Sequence, residues 1–310
     1  MSYLEGSQFY GDSTLEDTLV KNTIGFLKQG FLELGAFYNI DKDQTGINGN
    51  DESKLLPVVS SGITNYTIYR GIKPDWVWET SGIQLKYAGG TQPYVPSGIY
   101  VNNTFYPTGT TINGTGYYID FSRGRVIFNN PLTSLHNVQC KYAVRAVDVL
   151  MEDSDLYRRL NSEWRQNISA TGITNNSLFG YLPVIFVGLK GYRSYPAELG
   201  SRSKWSRGAM RFTWFANNGS EFRKIQDNLY MLEDKNVSFH NVDNIPKPLN
   251  YRGELMSGFL THQYLSSQYF DGTVRFLGNS KIDKIQNNEI LPLRKGVCVI
   301  DLESKVNVIL

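Results

Sequence analysis

The sequence predicts an α+β protein that carries an inserted all-β domain, either a sandwich or a barrel. Three observations carry that expectation. An amphipathic helical pattern opens the chain, a run of short strands with turn signals follows, and helices and strands mix toward the end. With 310 residues, about two domains of ~100–200 residues each are expected. Their limits read as 1–54 for an N-terminal helix and loop belonging to the α+β core, 55–150 for the inserted β-domain, and 151–310 for the remainder of the core.

The first helix spans residues 13–34. Ser13 and Glu16 stand at capping-box spacing, where each side chain satisfies an orphan backbone N–H. Val20, Ile24, Leu27, Phe31 and Leu34 form one apolar stripe, and Gly35 supplies the stop. Residues 41–53 are polar and glycine-containing, a connector. Strand signals then recur at 67–70, 76–78, 98–101, 117–121, 125–128 and 138–144, separated by Gly, Pro and Asn turns. The clearest hairpin runs from Ile119 to Phe128 and turns at Arg123-Gly124. A further helix is expected over 153–166, where Leu156, Leu160 and Trp164 share a face.

The most informative stretch is 183–234. An apolar strand (183–189) leads into a basic hairpin, a second strand (209–216), and a helix whose apolar face is Phe222, Ile225, Leu229 and Leu232. In the second strand Met210, Phe212, Trp214 and Ala216 alternate with Arg211, Thr213 and Phe215. The first set is expected to pack on the helix and the second to meet a neighbouring subunit. Later strands are read at 237–239, 272–276 and 297–300.

Composition narrows the class. Hydrophobic residues make up 41% and charged residues 19%, which allows a buried core and argues against global disorder. A net charge of +2 lacks the basic bias of a nucleic-acid binder or of a protein drawn to anionic membranes. No apolar run approaches the ~18 residues that a membrane span needs, and no secretory leader is visible. Cys140 and Cys298 match no CxxC spacing and read as buried small hydrophobes of a reducing compartment. Folding in a cytosol is the expectation.

Catalytic patterns are sparse. His136, His240 and His262 stand in no zinc-binding spacing, and GxSxG, GxxxxGK[ST] and GxGxxG are missing from the sequence. No enzyme activity and no cofactor are expected. Residues 41–52 resemble an EF-hand loop, with oxygen-bearing side chains at positions 1, 3, 5 and 12 and Gly46 at position 6. Asn48 at the normally apolar position 8 and Pro57 in place of an outgoing helix make a solvated connector without metal the expected reading. Trp76, Trp78, Tyr94, Tyr100, Tyr117 and Tyr118 suggest either a sugar-binding face or, more commonly for strand aromatics, core and cross-strand pairs.

The basic hairpin carries Lys190, Arg193, Arg202, Lys204, Arg207 and Arg211, with Tyr192, Tyr195 and Trp205 interleaved. Single-stranded nucleic acid binds such surfaces, but the low total charge favours ion pairing between subunits. Arg202, Lys204, Arg207 and Arg211 are therefore the candidate subunit-interface residues.

The pattern at 183–234, with Pro183 before an alternating strand, Trp205 in the hairpin, Arg211-Phe212-Thr213-Trp214-Phe215 and the following helix, resembles the tail-terminator proteins of tailed bacteriophages. The opening helix fits the same family. Separately, residues 97–109 and 118–128 are similar to segments of phage virion proteins. The resemblance implies a tail-terminator-like sheet packed with helices. It further implies a structural protein of the virion neck, assembled in the host cytoplasm as a homo-oligomeric, hexameric ring. Such a ring caps the tail tube and joins it to the head connector, with no membrane, no sequence-specific nucleic acid, and genome DNA passing through its centre. A baseplate or head-decoration protein, or a carbohydrate-binding β-domain protein, are the alternatives.

Overall fold

In the computed structural model the described residues are 15–46, 49–58, 67–79, 83–87, 89–132, 136–158, 160, 182–196, 203–243, 245–256, 261–277, 281–287 and 294–307. They form a mixed α+β, strand-rich chain with curled sheets. Contacts divide it into two compact units. One comprises 31–146 and 247–260, the other 1–30, 147–246 and 261–310.

Helix α1 (Leu15–Glu33) opens the described chain. Ser13 of the expected capping box lies outside the described residues. The helix stops where Gly35, at φ +78°, turns the backbone so that its N–H reaches the Leu32 carbonyl and that of Ala36 reaches Phe31. Val20, Leu27 and Phe31 are buried as the stripe requires, but Leu34 is exposed. Leu19, Leu32 and three polar side chains, Asn22, Thr23 and Gln29, are buried as well. The buried face is thus wider than an apolar stripe, because hydrogen bonds compensate the polar members.

The β-unit contains β1 (Phe37–Ile40), β2 (Leu56–Pro57), β3 (Ile68–Arg70), β4 (Gly98–Val101), β5 (Thr104–Pro107), β6 (Thr111–Ile112), β7 (Thr115–Asp120), β8 (Arg125–Phe128), β9 (Val138–Gln139) and β10 (Tyr142–Arg145). They make a five-stranded sheet β2-β3-β8-β7-β6, a three-stranded sheet β5-β4-β9, and the pair β1-β10. All three surround one apolar core that includes Ile40, Tyr69, Ile99, Ile119, Val126, Phe128, Val138 and Val144. The β7–β8 hairpin has the expected turn, with Asp120 opposite Arg125. Residues 76–78 are not a strand. Trp76 instead bridges to Val144 and stacks its ring on Tyr142, centroids 4.2 Å apart.

The limits of this unit differ from the expected 55–150. Residues 31–54 belong to it, since β1 pairs with β10 and Lys54 bridges to Gln139. Residues 247–260 also join it, with the Phe121 N–H donating to the Gly253 carbonyl. Residues 147–150 leave it for the other unit. Such pairings are made by backbone groups far apart in sequence, which local patterns do not encode.

The α+β unit is built on one sheet. Its elements are β11 (Asp148–Met151), β12 (Val184–Pro196), β13 (Ser203–Ala216), α2 (Gly219–Tyr230), β14 (Asn236–His240), α3 (His262–Gln268), β15 (Phe270–Phe276), β16 (Lys281–Asn287) and β17 (Arg294–Asn307). The strand order is β11-β12-β13-β17-β15-β14, with β16 also pairing on β17. β11 runs parallel to β12, and the other pairs are antiparallel. Asn218 caps α2 by accepting from the Glu221 N–H at 2.9 Å. The helix ends at Tyr230, so Leu232, expected on its apolar face, is buried just beyond it. Trp214 lies against Phe222 of α2, ring centroids 5.3 Å apart.

The opposite face of this strand corrects an expectation. Thr213 and Phe215 are buried within the chain and are not left for a neighbouring subunit. Phe215 joins Leu160, Leu182, Val184 and Phe186 in a second apolar cluster, against which Leu150, Leu156 and Tyr157 pack. Of the helix expected at 153–166, residues 155–158 and 160 are helical and the rest lie outside the described residues. Among the described residues no helix is long and apolar enough to cross a membrane.

Candidate functional site

The central ribbon of the sheet, β12, β13 and β17, is 13, 14 and 14 residues long. Side chains alternate between its faces. One face is sealed: Ser206, Met210, Phe212 and Trp214 of β13 and Cys298, Ile300, Leu302 and Ser304 of β17 are all buried. On the other, Arg207, Asp301 and Arg275 are exposed, and Ala209, Arg211, Val299 and Glu303 are partly so. Along this stretch, beyond the buried Thr213 and Phe215, the sheet face open to solvent is charged.

Register sets the charges side by side. Arg193 of β12 stands opposite Arg207 of β13, Arg207 opposite Glu303 of β17, and Glu303 opposite Arg275 of β15. The Arg207 guanidinium donates to Glu303 through Nε and Nη2, each 2.9 Å from Oε1. Arg193 is exposed and meets no acid among the described residues. Like charges directly opposite on neighbouring strands repel. Beside them lies a groove of about 640 Å³ lined by Arg193, Arg207, Gly191, Gly208, Leu277, Asp301 and Leu302.

At the β11 end the polarity reverses. Glu152 follows β11, and its carboxylate crosses β12 to reach Arg211 on β13, 2.6 Å from Nη2 and 2.9 Å from Nε. Gly188, opposite Arg211 in the register, makes that crossing possible. A Cβ there would lie 2.1 Å from Glu152 Oε2. Glu16, Asp17 and Asp153 join this pair around a cleft of about 410 Å³, whose floor includes Val20, Val187 and Leu189. Three carboxylates beyond the Arg211–Glu152 pair make the cleft acidic.

Of the four expected interface residues, Arg207 and Arg211 thus share a face of β13, and both engage acids of their own chain. Lys204 occupies the β13 position opposite Pro196 and Val306. Arg202 lies outside the described residues. Sequence reasoning missed Glu152 and Glu303. For Glu303 the signal was present, because charged residues at 301, 303 and 305 alternate with the uncharged Leu302 and Ser304.

A second polar cluster is closed to solvent. His240 at the end of β14 and His262 at the start of α3 flank Ser266, whose Oγ lies 3.2 Å from His240 Nδ1 and 3.4 Å from His262 Nε2. The Ser266 hydroxyl donates to the Ser238 carbonyl. Asn22 of α1 bonds both backbone groups of His240, and Gln29 accepts from the Gln263 N–H. All three side chains of the cluster are buried, so no substrate reaches the serine and the cluster serves to fasten α1 and α3 to the edge strand.

Burial lowers the His240 pKa to about 4, and burial together with the neighbouring His240 lowers that of His262 to about 3. The unfolded chain, with histidines near 6.5, binds the protons that the folded chain refuses. Stability from this source is complete above about pH 6.5 and falls as the pH drops toward the folded values. Between pH 7 and 6 the two histidines together should cost about 1 kcal/mol. Urea unfolding at the two pH values checks this. The loss should shrink in His240→Gln/His262→Gln, and an equal loss in that variant would refute the assignment.

The loop at 41–52 folds back on itself, Thr45 bridging to Asp51 and the Gly46 N–H donating to Asn50. Asp43 and Asp51 converge on the Gln139 amide of β9, which donates to both from 2.6 Å. Hydrogen bonds from Lys42 and Gln139 hold the Asp43 carboxyl below its ordinary pKa. A side-chain amide therefore sits between the two carboxylates. Among the described residues no group of three or more His, Cys, Asp or Glu gathers around a common point.

The six aromatics do not form one open face. Trp76 and Tyr117 are buried, Trp78 and Tyr94 pack on core clusters, Tyr100 lies on Phe105, and Tyr118 lies under Arg252. Both cysteines are buried and unbridged, and burial pushes the Cys298 thiol up to about 11. No protein-family model matches the chain, and no curated protein does.

Proposed function

We propose that this chain is a structural virion protein of a tailed phage, one that forms a ring at the neck, caps the tail tube and joins it to the head connector. The observation that carries the reading is the long β12–β13–β17 ribbon, sealed on one face by its own chain and charged on part of the other, along Arg207–Arg211 and Val299–Glu303. A surface of that kind suits a polar contact between subunits that assemble after folding, since charged groups steer encounter and fix register. The β12–β13–α2 succession, with Trp214 seated on Phe222, is the strand–strand–helix order on which the sequence resemblance rests. In this reading the β-unit is an addition to that core, and the ring is a hexamer through which genome DNA passes. Assembly takes place in the host cytoplasm and involves no catalysis.

The test is twofold. Particles labelled with an antibody to this chain and imaged by electron microscopy should carry the label at the neck. Label on the baseplate or head surface would instead favour another virion role. Reversing Arg202, Lys204 and Arg207 to Glu should leave the chain folded but stop ring formation or head–tail joining. Full yields of infectious particles from the triple variant would reduce the hairpin to a solvated loop.

A further inference from the structure

β14 is the last strand in the order of its sheet. Buried backbone N–H and C=O groups need partners, and at this edge side chains supply them. Asn22 of α1 takes the place of a further strand beside His240: its Nδ2 donates to the His240 carbonyl at 2.8 Å, and its Oδ1 accepts from the His240 N–H at 3.1 Å. Two residues earlier, the Ser238 carbonyl accepts from the Ser266 hydroxyl of α3 at 3.2 Å. Asn22 and Ser266 are both buried, and together they plug the edge.

The plug is built around the histidine pair. With its proton on Ser238, Ser266 Oγ has lone pairs left for N–H groups at His240 Nδ1 and His262 Nε2. That arrangement suits two neutral rings, each with its second nitrogen unprotonated. The ring centroids are 5.5 Å apart. α1 presents Asn22, Gly25 and Phe26 to them, and β15 sets Phe270 opposite His240. Lys21, next to Asn22, is exposed, and Asp271, next to Phe270, has its own carboxyl raised by burial. Among the described residues no Asp, Glu or Cys gathers with the two rings around a common point. Protons on both rings would be like charges in a space closed to water, which burial penalises.

We propose that the His240–Ser266–His262 cluster is an acid-released plug: when the rings take up protons, α3 and the Asn22 stretch of α1 let go of β14 while the β12–β13–β17 ribbon stays paired. β14 has five residues and α3 seven, against 13 or 14 in each ribbon strand, so the edge opens at lower cost than the whole sheet. The open form binds protons near pH ~6.5, whereas burial holds the closed rings at about 4 and 3. The plug is therefore fully closed above about pH 6.5 and loosens as the pH falls below it. Two such groups raise the opening constant about several hundredfold between pH 7.5 and pH 5.

Hydrogen–deuterium exchange of the full chain, corrected for the intrinsic effect of pH on exchange, reads that constant. The amides of His240, Leu265 and Tyr269 report on the edge, and those of Met210 and Phe212 on the ribbon. At pH 5 the edge amides should exchange with almost no dependence on urea, the mark of a local opening, while the ribbon amides wait for urea-sensitive global unfolding. His240→Gln or His262→Gln alone should keep about thirtyfold of the pH effect, and the double variant none.

Equal exchange free energies and equal urea slopes for edge and ribbon at pH 5 would overturn the proposal, a result that wild type alone can give. An edge opening constant that is the same at pH 7.5 and pH 5 would overturn it too. So would a folded double variant that keeps the full pH response.

Discussion

Trp214→Ala should destabilise the α+β unit by about 3–5 kcal/mol, the range for deleting a large aromatic from a packed core. The ring is 1% exposed, lies 5.3 Å from Phe222, and fills the layer between β13 and α2. Truncation opens a cavity that a strand held by neighbours on both sides cannot collapse to fill. The indole N–H is buried without a hydrogen-bond partner among the described residues. Trp214→Phe removes that unpaired donor together with some volume, so it should lose much less. Urea unfolding of the two variants measures the difference. A cost for Trp214→Ala below about 1 kcal/mol, the ordinary value for a point substitution, would mean that the ring is not part of a packed layer.

Glu79→Ala should cost a similar amount, about 3–5 kcal/mol, in the β-unit. Arg145 at the end of β10 is buried, with its side chain 2% exposed, and its Nη2 lies 2.6 Å from Glu79 Oε1. Asp75 adds a carboxylate 3.4 Å from Nε. Removing Glu79 takes the nearer carboxylate from a guanidinium buried away from water and leaves the more distant Asp75 facing it. Replacing both members, Arg145→Met with Glu79→Leu, leaves no buried charge and should come much closer to wild type. Thermal melts of the single and double variants decide the matter. A double variant as unstable as the single one would show that the pair acts through shape, without a charge penalty.

Local periodicity made the central elements legible. The alternation through Met210, Phe212 and Trp214 and the helical spacing of Phe222, Ile225 and Leu229 both reappear as buried faces. The Asp120–Arg125 hairpin was readable because its turn residues lie next to the strands that they join. What stayed hidden depends on partners distant in sequence. Thr213 and Phe215 looked like an outer face because nothing local indicates that Leu160 and Leu182 gather around Phe215. The extra length of β12 and β13 was masked by glycines and charges at 188–208, which read as a hairpin loop when considered alone. Of the site itself, the basic half was visible as a run of Lys and Arg, whereas its acids, Glu152 and Glu303, stand 59 and 96 residues from their partners.

The position of β17 has a consequence for how the molecule comes into being. This strand, Arg294–Asn307, pairs with β13 along its whole length and on its other side holds both β15 and β16. It is also the last strand of the described chain to be synthesised. Until it emerges, β13 has a free edge of 14 residues, the kind of template that recruits foreign strands. The sheet therefore closes late, through contacts of long sequence separation that form slowly. The β-unit, apart from residues 247–260, is complete on the ribosome well before then. Newly made chains should pass through a stage with one finished unit and one open sheet, when chaperone capture and misassembly are most probable. A chain shortened before Arg294 should arrest there and accumulate as aggregate.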